Sequence, residues 1–184
     1  MITFYSDGST RGKNQKGAEN VGGWGAVCFD ETENEDEILI SFDCDTNYNT
    51  TNNREELRAL LYCLAAADDL YPDQKCVIYS DSAYVVNMCN DWIWKWAANG
   101  WQNSKKQTVE NLDLVQSVYN YIKKDFYHCT IKKCEGHKDN LGNELADALA
   151  TGNLRRFSRM AEENGLELSD KDKEWISRRL DEKD

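Results

Sequence analysis

Residues 76–85 read Cys-Val-Ile-Tyr-Ser-Asp-Ser-Ala-Tyr-Val, and the fold class turns on how this stretch is placed. Cys76–Ser80 is a short apolar run, the pattern of a strand covered on both faces. Before it, Leu57, Leu60, Leu61 and Leu64 recur at i, i+3, i+4 and i+7, which predicts an amphipathic helix over 53–69. After it, a second helix is predicted from about Ser82 to Asn90. Strands that alternate with helices here imply a sheet flanked by helices.

Toward the N-terminus the pattern changes. Residues 2–6, 21–29 and 37–44 are rich in β-branched and aromatic types and read as three strands. A polar stretch from Gly8 to Asn20 reads as a loop and the acidic 30–36 as a turn, so an antiparallel meander is expected. Toward the C-terminus, 111–124 places Leu112, Val115, Val118, Tyr119 and Ile122 on one helical face. Residues 127–134 alternate as a strand, and a last core helix is expected over 143–150. The order βββ-α-β-α-α-β-α predicts an α/β fold with a five-stranded mixed sheet flanked by helices.

Beyond Gly152 the composition shifts, with eight Lys/Arg and nine Asp/Glu in 154–184. Leu154, Phe157, Met160 and Ala161 could form one apolar stripe, and Ser169 with Asp172 resembles a helix N-cap. The expected division is a catalytic domain over 1–152 and a charged helical extension over 153–184.

The 184 residues are 40% hydrophobic and 30% charged, as in a globular protein. No run of about 18 apolar residues could span a membrane, and the start lacks a secretory pattern. Seven cysteines without a Cys-x-x-Cys pair suggest buried reduced thiols, a cytoplasmic location and no zinc site. The net charge of −11 opposes a polyanionic partner unless a local basic surface or an acidic cation site offsets it.

Four acids resist explanation by packing. Asp7 ends the first strand in Ser-Asp-Gly-Ser, and Asp81 ends the buried strand. Glu56 lies on the first helical turn beside Leu57, and Asp147 sits inside Leu-Ala-Asp-Ala-Leu-Ala. Singly, Asp7 could shape a turn, Asp81 could cap a helix and Glu56 could be a solvated first-turn acid. Asp147 is least comfortable, because apolar surroundings disfavour a lone carboxylate. Together, if the strand ends converge, they would repel unless cations held them ionised. Carboxylate-only ligation suits Mg²⁺ or Mn²⁺, and two such ions about 4 Å apart cleave phosphodiesters. His137, in the polar Glu-Gly-His-Lys-Asp-Asn, could be a solvated loop residue or could move protons near neutral pH. His128 reads as structural.

At these residues the chain resembles the type 1 ribonuclease H family, close to its bacterial form, over about residues 2–151. The resemblance is carried by Phe-Tyr-Ser-Asp-Gly-Ser at 4–9, Thr-Asn-Asn-Arg-Glu-Glu-Leu at 51–57 and Tyr-Ser-Asp-Ser-Ala-Tyr-Val at 79–85. It is completed by Gly-His and then Gly-Asn-Glu-Leu-Ala-Asp between 136 and 147. It implies a ribonuclease H-like fold and an endonuclease that cuts the RNA strand of RNA–DNA hybrids, leaving 5′-phosphate and 3′-hydroxyl ends. Removal of RNA primers is the implied task, by a monomer. Two Mg²⁺ ions are implied, with Mn²⁺ as a substitute. Asp7 would bridge them, Glu56 and Asp81 would complete the leaving-group side, and Asp147 would hold the side of the attacking water. His137 would assist proton transfer or product release, and Thr51, Asn52 and Asn53 would contact the hybrid.

Residues 91–113 resemble the family's basic protrusion, implying substrate contacts by Lys95, Trp96 and Trp101. The match is partial: over 91–110, Lys95, Lys105 and Lys106 face Asp91 and Glu110, a net of +1. Trp92, Trp94, Trp96 and Trp101 could equally pack as a small core. Arg11, Lys13 and Lys16 in the long loop over 10–21 could restore some basic surface. Two other functions share these features: an inactive binding domain of this fold, and a same-fold nuclease acting on DNA. The four acids weigh against the first and the Thr-Asn-Asn-Arg segment against the second.

Overall fold

The computed structural model describes residues 1–11, 20–31, 37–124, 129–134 and 140–182. Strands β1 (Ile2–Arg11), β2 (Val21–Glu31) and β3 (Glu37–Tyr48) form the meander, and helix α1 (Asn52–Leu70) crosses to β4 (Cys76–Ser80). Helix α2 (Ala83–Asn87), a π-helical turn over Met88–Trp92 and α3 (Ile93–Ala98) run end to end. Then come α4 (Leu112–Ile122), β5 (Cys129–Lys133), α5 (Leu141–Ala150), α6 (Leu154–Glu163) and α7 (Asp170–Asp181). The strands lie in the order β3-β2-β1-β4-β5. Pairing is antiparallel from β3 to β1 and parallel from β1 to β5, the mixed five-stranded sheet that the element order predicts.

Period-2 alternation divides the sheet's side chains between two cores. Ile2, Phe4, Cys28 and Ile78 pack with Leu57, Leu60 and Leu64 of α1 and Val115 and Val118 of α4. Tyr5, Val27 and Phe29 face the other way, onto Leu145 and Leu149 of α5 and Leu154 and Phe157 of α6. The central strand β1 is therefore covered on both sides, which places its end inside the molecule.

Three elements run longer than their propensities suggest. β1 continues to Arg11 and β3 to Tyr48, because Ser9–Arg11 and Thr46–Tyr48 both pair with Val21–Gly23 of β2. The helix expected over 82–90 carries on through the π-turn to Ala98. Glycines set the close approaches. A Cβ on Gly8 would collide with the backbone of Glu55 and Glu56, and one on Gly25 with the backbone of Ala146 and Ala150. Helices α1 and α5 thus press against the sheet on either side of Asp7.

Beyond Gly152, the predicted stripe of Leu154, Phe157, Met160 and Ala161 is buried. Phe157 meets Phe42 at 4.6 Å between ring centroids, and Trp175 of α7 meets the same ring at 5.5 Å. Ser169 and Asp172 form the anticipated reciprocal cap at the start of α7. Among the described residues no helix is long and apolar enough to cross a membrane.

Candidate active site

The sheet opens where β1 and β4 part. Ser6 and Ser80 are the last parallel pair. Asp7 goes on along β1 opposite Gly25, whereas the chain at Asp81 turns away into α2. Asp7 is therefore not a turn residue. Nor does Asp81 cap α2, since the Ser82 hydroxyl accepts from the Val85 N–H at 3.3 Å. Both carboxylates stand at the point where the neighbour of β1 changes, the usual place for a crevice in an open sheet.

Glu56 reaches the same point from α1. It is only 4% exposed, against the solvated first-turn acid that its position permits, and Asp7 is 8% exposed. Carboxylate oxygens of Asp7, Glu56 and Asp81 all lie within 4.8 Å of one another, a set able to hold a metal ion. Their mutual proximity is costly without one. Burial, reinforced by the charges of Asp81 and Asp147, pushes Asp7 up to about 7 from an ordinary 3.8. Burial together with Asp7 and Asp81 pushes Glu56 up to about 9 from 4.5. The Asn52 amide donates to Glu56 Oε1 at 3.5 Å. The other oxygen, Oε2, is buried without any hydrogen-bond partner among the described residues. A buried acceptor with no donor is rare in folded proteins, and a hard cation with oxygen ligands fits the vacancy in its coordination.

Asp147 departs from expectation. Its apolar neighbours in sequence suggest a buried carboxylate meeting the other three. Instead its side chain is 41% exposed and forms an ion pair with Arg156 of α6. Helix geometry explains this: Leu145, Ala146, Ala148 and Leu149 turn inward, leaving position 147 on the rim. Asp147 still lines the same cleft, of about 550 Å³, with Asp7, Glu56, Asp81, Asn52 and Asn143. The three sheet-side acids converge, and the fourth lies across the cleft with a partner of its own.

Two residues without an assigned role in the sequence reading belong to this site. Asn143, 5% exposed, donates from Nδ2 to Asp81 Oδ2 at 3.3 Å. Its Oδ1 accepts from the Cys134 thiol at 3.4 Å, which fixes the direction of the amide. Its spacing of four from Asp147, one face of a helix, was the available signal. Arg156 gave none, because its partner lies across the turn at Gly152.

The other expected site residues scatter around the rim. Thr51 caps α1, its hydroxyl accepting from the Arg54 N–H at 3.3 Å. Asn52 is exposed at the cleft and Asn53 half-buried. Trp96 stacks obliquely on Trp92, and Trp101 meets Tyr119 edge-on. All four tryptophans of the segment pack against the first core. Lys95 is exposed and pairs with Asp91 at 2.6 Å. His137, His128, Lys13 and Lys16 lie outside the described residues.

Helices on both faces of a mixed sheet, with carboxylates gathered where β1 and β4 part, define an α/β fold with an acidic cleft able to hold a metal ion. The RNase H family profile matches residues 1–155, and the chain belongs to that family, as an enzyme of the ribonuclease H kind. It is 38% identical over 163 residues to the ribonuclease H of Orientia tsutsugamushi (strain Boryong), covering 89% of this chain and 88% of the relative. It is 37% identical over 151 residues to that of Chlorobaculum parvum, covering 81% and 92%. Among solved structures it is similar to LC9-RNase H1, a type 1 RNase H with the type 2 active-site motif. That match has a TM-score of 0.69 and 27% identity over 82% of this chain and 70% of the other.

Proposed function

We propose that this chain hydrolyses the RNA strand of RNA–DNA hybrids with divalent ions held by Asp7, Glu56, Asp81 and Asp147. The observation that carries the reading is the trio of carboxylates within 4.8 Å, one of them with a buried, donorless oxygen. Such a cluster gains nothing for a pure binding domain, since it stores repulsion until a cation arrives. Mg²⁺, with Mn²⁺ as a substitute, matches the all-oxygen donor set. Bound ions of this kind acidify water and neutralise charge on a phosphodiester.

The protein's own residues arrange the rest. The charges of Asp81 and Asp147 both act on Asp7, so Asp7 would help to hold both ions. Glu56 and Asp81 complete the inner side, with Asn52 and Asn143 setting the orientation of their oxygens. Asp147 offers a carboxylate on the open side, where water enters. His137 takes the proton-transfer role. Thr51, Asn52 and Asn53 on the rim, with Lys95, Trp96 and Trp101 on the aromatic protrusion, grip the hybrid. With the aromatic rings partly buried, that grip relies on ring edges and on phosphate contact. Products carry 5′-phosphate and 3′-hydroxyl ends, and the task is removal of RNA primers and hybrids. The enzyme works as a cytoplasmic monomer, with residues 1–152 as the catalytic domain and 153–184 as an extension.

The test is a labelled RNA–DNA duplex incubated with Mg²⁺ beside matched DNA and RNA duplexes. Wild type should cut only the RNA of the hybrid. Cleavage of the DNA duplex, or no cleavage with Mg²⁺ or Mn²⁺, rejects the proposal.

A further inference from the structure

Among the described residues, Arg156 is the one basic side chain lining the acidic cleft. Its guanidinium Nη1 is paired with Asp147 Oδ2, while the other three acids face each other. We propose, resting on the cation-site reading above, that Arg156 is an internal counter-cation of Asp147. It competes with a divalent ion for that carboxylate. Arg156 therefore sets the ion concentration at which the Asp147 side fills, and acts less on the Asp7–Glu56–Asp81 side.

Three observations support this division. First, Asp147 is not among the acids whose oxygens approach within 4.8 Å, so its charge is answered by the arginine instead. Second, the guanidinium is presented from a fixed base. The Arg156 N–H donates to the Asn153 side chain at 3.0 Å, and its neighbour Phe157 is fully buried in the second core. Third, the Arg156 and Asp147 side chains are 32% and 41% exposed, so the pair can open into solvent without disturbing that core. Arg156 lies one residue past the stretch matched by the family profile. The energetic scale is that of a partly exposed ion pair, so the competition is expected to weaken the ion at Asp147 roughly three- to fivefold.

The test is a calorimetric titration of Mn²⁺ into the full chain without nucleic acid. It compares wild type, R156A, R156Q, D147N, the double variant D147N/R156A, and D81N, each checked for folding by thermal melting. R156Q stands in if R156A proves unfolded. The expected result is a weaker class of Mn²⁺ site that R156A and R156Q tighten about three- to fivefold. The tighter class should change by less, and the arginine substitution should not tighten the weaker class once Asp147 is Asn. Unchanged affinity in R156A, with binding lost in D81N, overturns the proposal and leaves the cluster standing. Equal tightening of both classes, persisting in the D147N background, overturns it in favour of a diffuse charge effect. Wild type that binds no Mn²⁺ overturns the cation-site reading and this inference with it.

Discussion

Glu55 and Glu56 are consecutive on α1, and both are buried, yet the protein treats them in opposite ways. Around Glu55 it builds a knot of donors. The Thr50 hydroxyl and the Arg58 guanidinium reach Oε1, and the Asn47 amide donates to Oε2 at 2.9 Å. This ties the end of β3 to the first turn of α1. Around Glu56 the structure supplies two more carboxylates and, among the described residues, no donor for one oxygen. Burial alone therefore does not mark a functional acid. What separates the two is whether the surroundings complete the charge or leave it for something else to complete.

Breaking the incomplete side should have the largest consequence. Asp81→Asn removes a cluster charge with little change in shape, and hybrid cleavage should fall by roughly a thousandfold or more. Single-turnover cleavage at saturating Mg²⁺ measures this, and a loss of under tenfold would show that Asp81 is not a ligand. Breaking the completed side should act on stability instead. Glu55→Ala strands Thr50, Asn47 and Arg58 and should cost about 3 kcal/mol. That is roughly a 6–12 °C fall in Tm for a chain of this size, read by thermal melting. A Glu55→Ala variant that melts like wild type would erase the contrast between the neighbours.

The same contrast has a sign in pH. Asp7 and Glu56 hold their protons up to about 7 and about 9 in the folded protein, while the unfolded chain releases them in the ordinary carboxylate range. Between that range and about pH 9 the folded state binds more protons, so the metal-free protein loses stability as pH rises. At about 1.4 kcal/mol for each unit and each group, the loss between pH 5 and 9 should reach several kcal/mol. Mg²⁺ should restore progressively more of it toward the alkaline end. Melting in EDTA and in Mg²⁺ at pH 5, 7 and 9 tests both slopes, and Glu56→Gln should flatten the EDTA series. A metal-free protein more stable at pH 9 than at pH 5 would contradict the burial of these acids.

Much of this was legible beforehand because periodicity and motif point the same way. Cys76–Ser80 is apolar throughout, and the strand observed has those bounds. The leucines of 57–64 could only be one face of a helix. The ends of β1 and β3 were not legible. Asp43, Asp45 and Asn47 are weak strand formers, and pairing with β2 carries the strand on to Tyr48, a tertiary effect that outweighs local preference. At the site, Asp7, Glu56 and Asp81 could be read because strand ends and a first helical turn are places where packing does not call for acids. Asp147 misled through its neighbours: Ala146 and Ala148 are buried, but the helix carries the residue between them onto the rim. Arg156 was hidden because pairing across the Gly152 turn has no sequence period.

Asn143 offers the finest cut between the two sides of the comparison, since it is a donor lent to the incomplete one. Its amide gives Asp81 a single long hydrogen bond at 3.3 Å, far less than the three donors around Glu55. That is enough to aim an oxygen and too little to answer its charge. Asn143→Ala should therefore leave the cluster dependent on cations while loosening its geometry, raising the Mg²⁺ needed for half-maximal cleavage about tenfold. Maximal rate at saturating Mg²⁺ should be largely retained, because the ligands themselves remain. Asn143→Asp places another carboxylate against Asp81 and should push the Mg²⁺ requirement up further. A full Mg²⁺ titration of cleavage for both variants separates the cases. Equal loss at every Mg²⁺ concentration would mean that Asn143 contributes to the reaction itself rather than to the aim of Asp81.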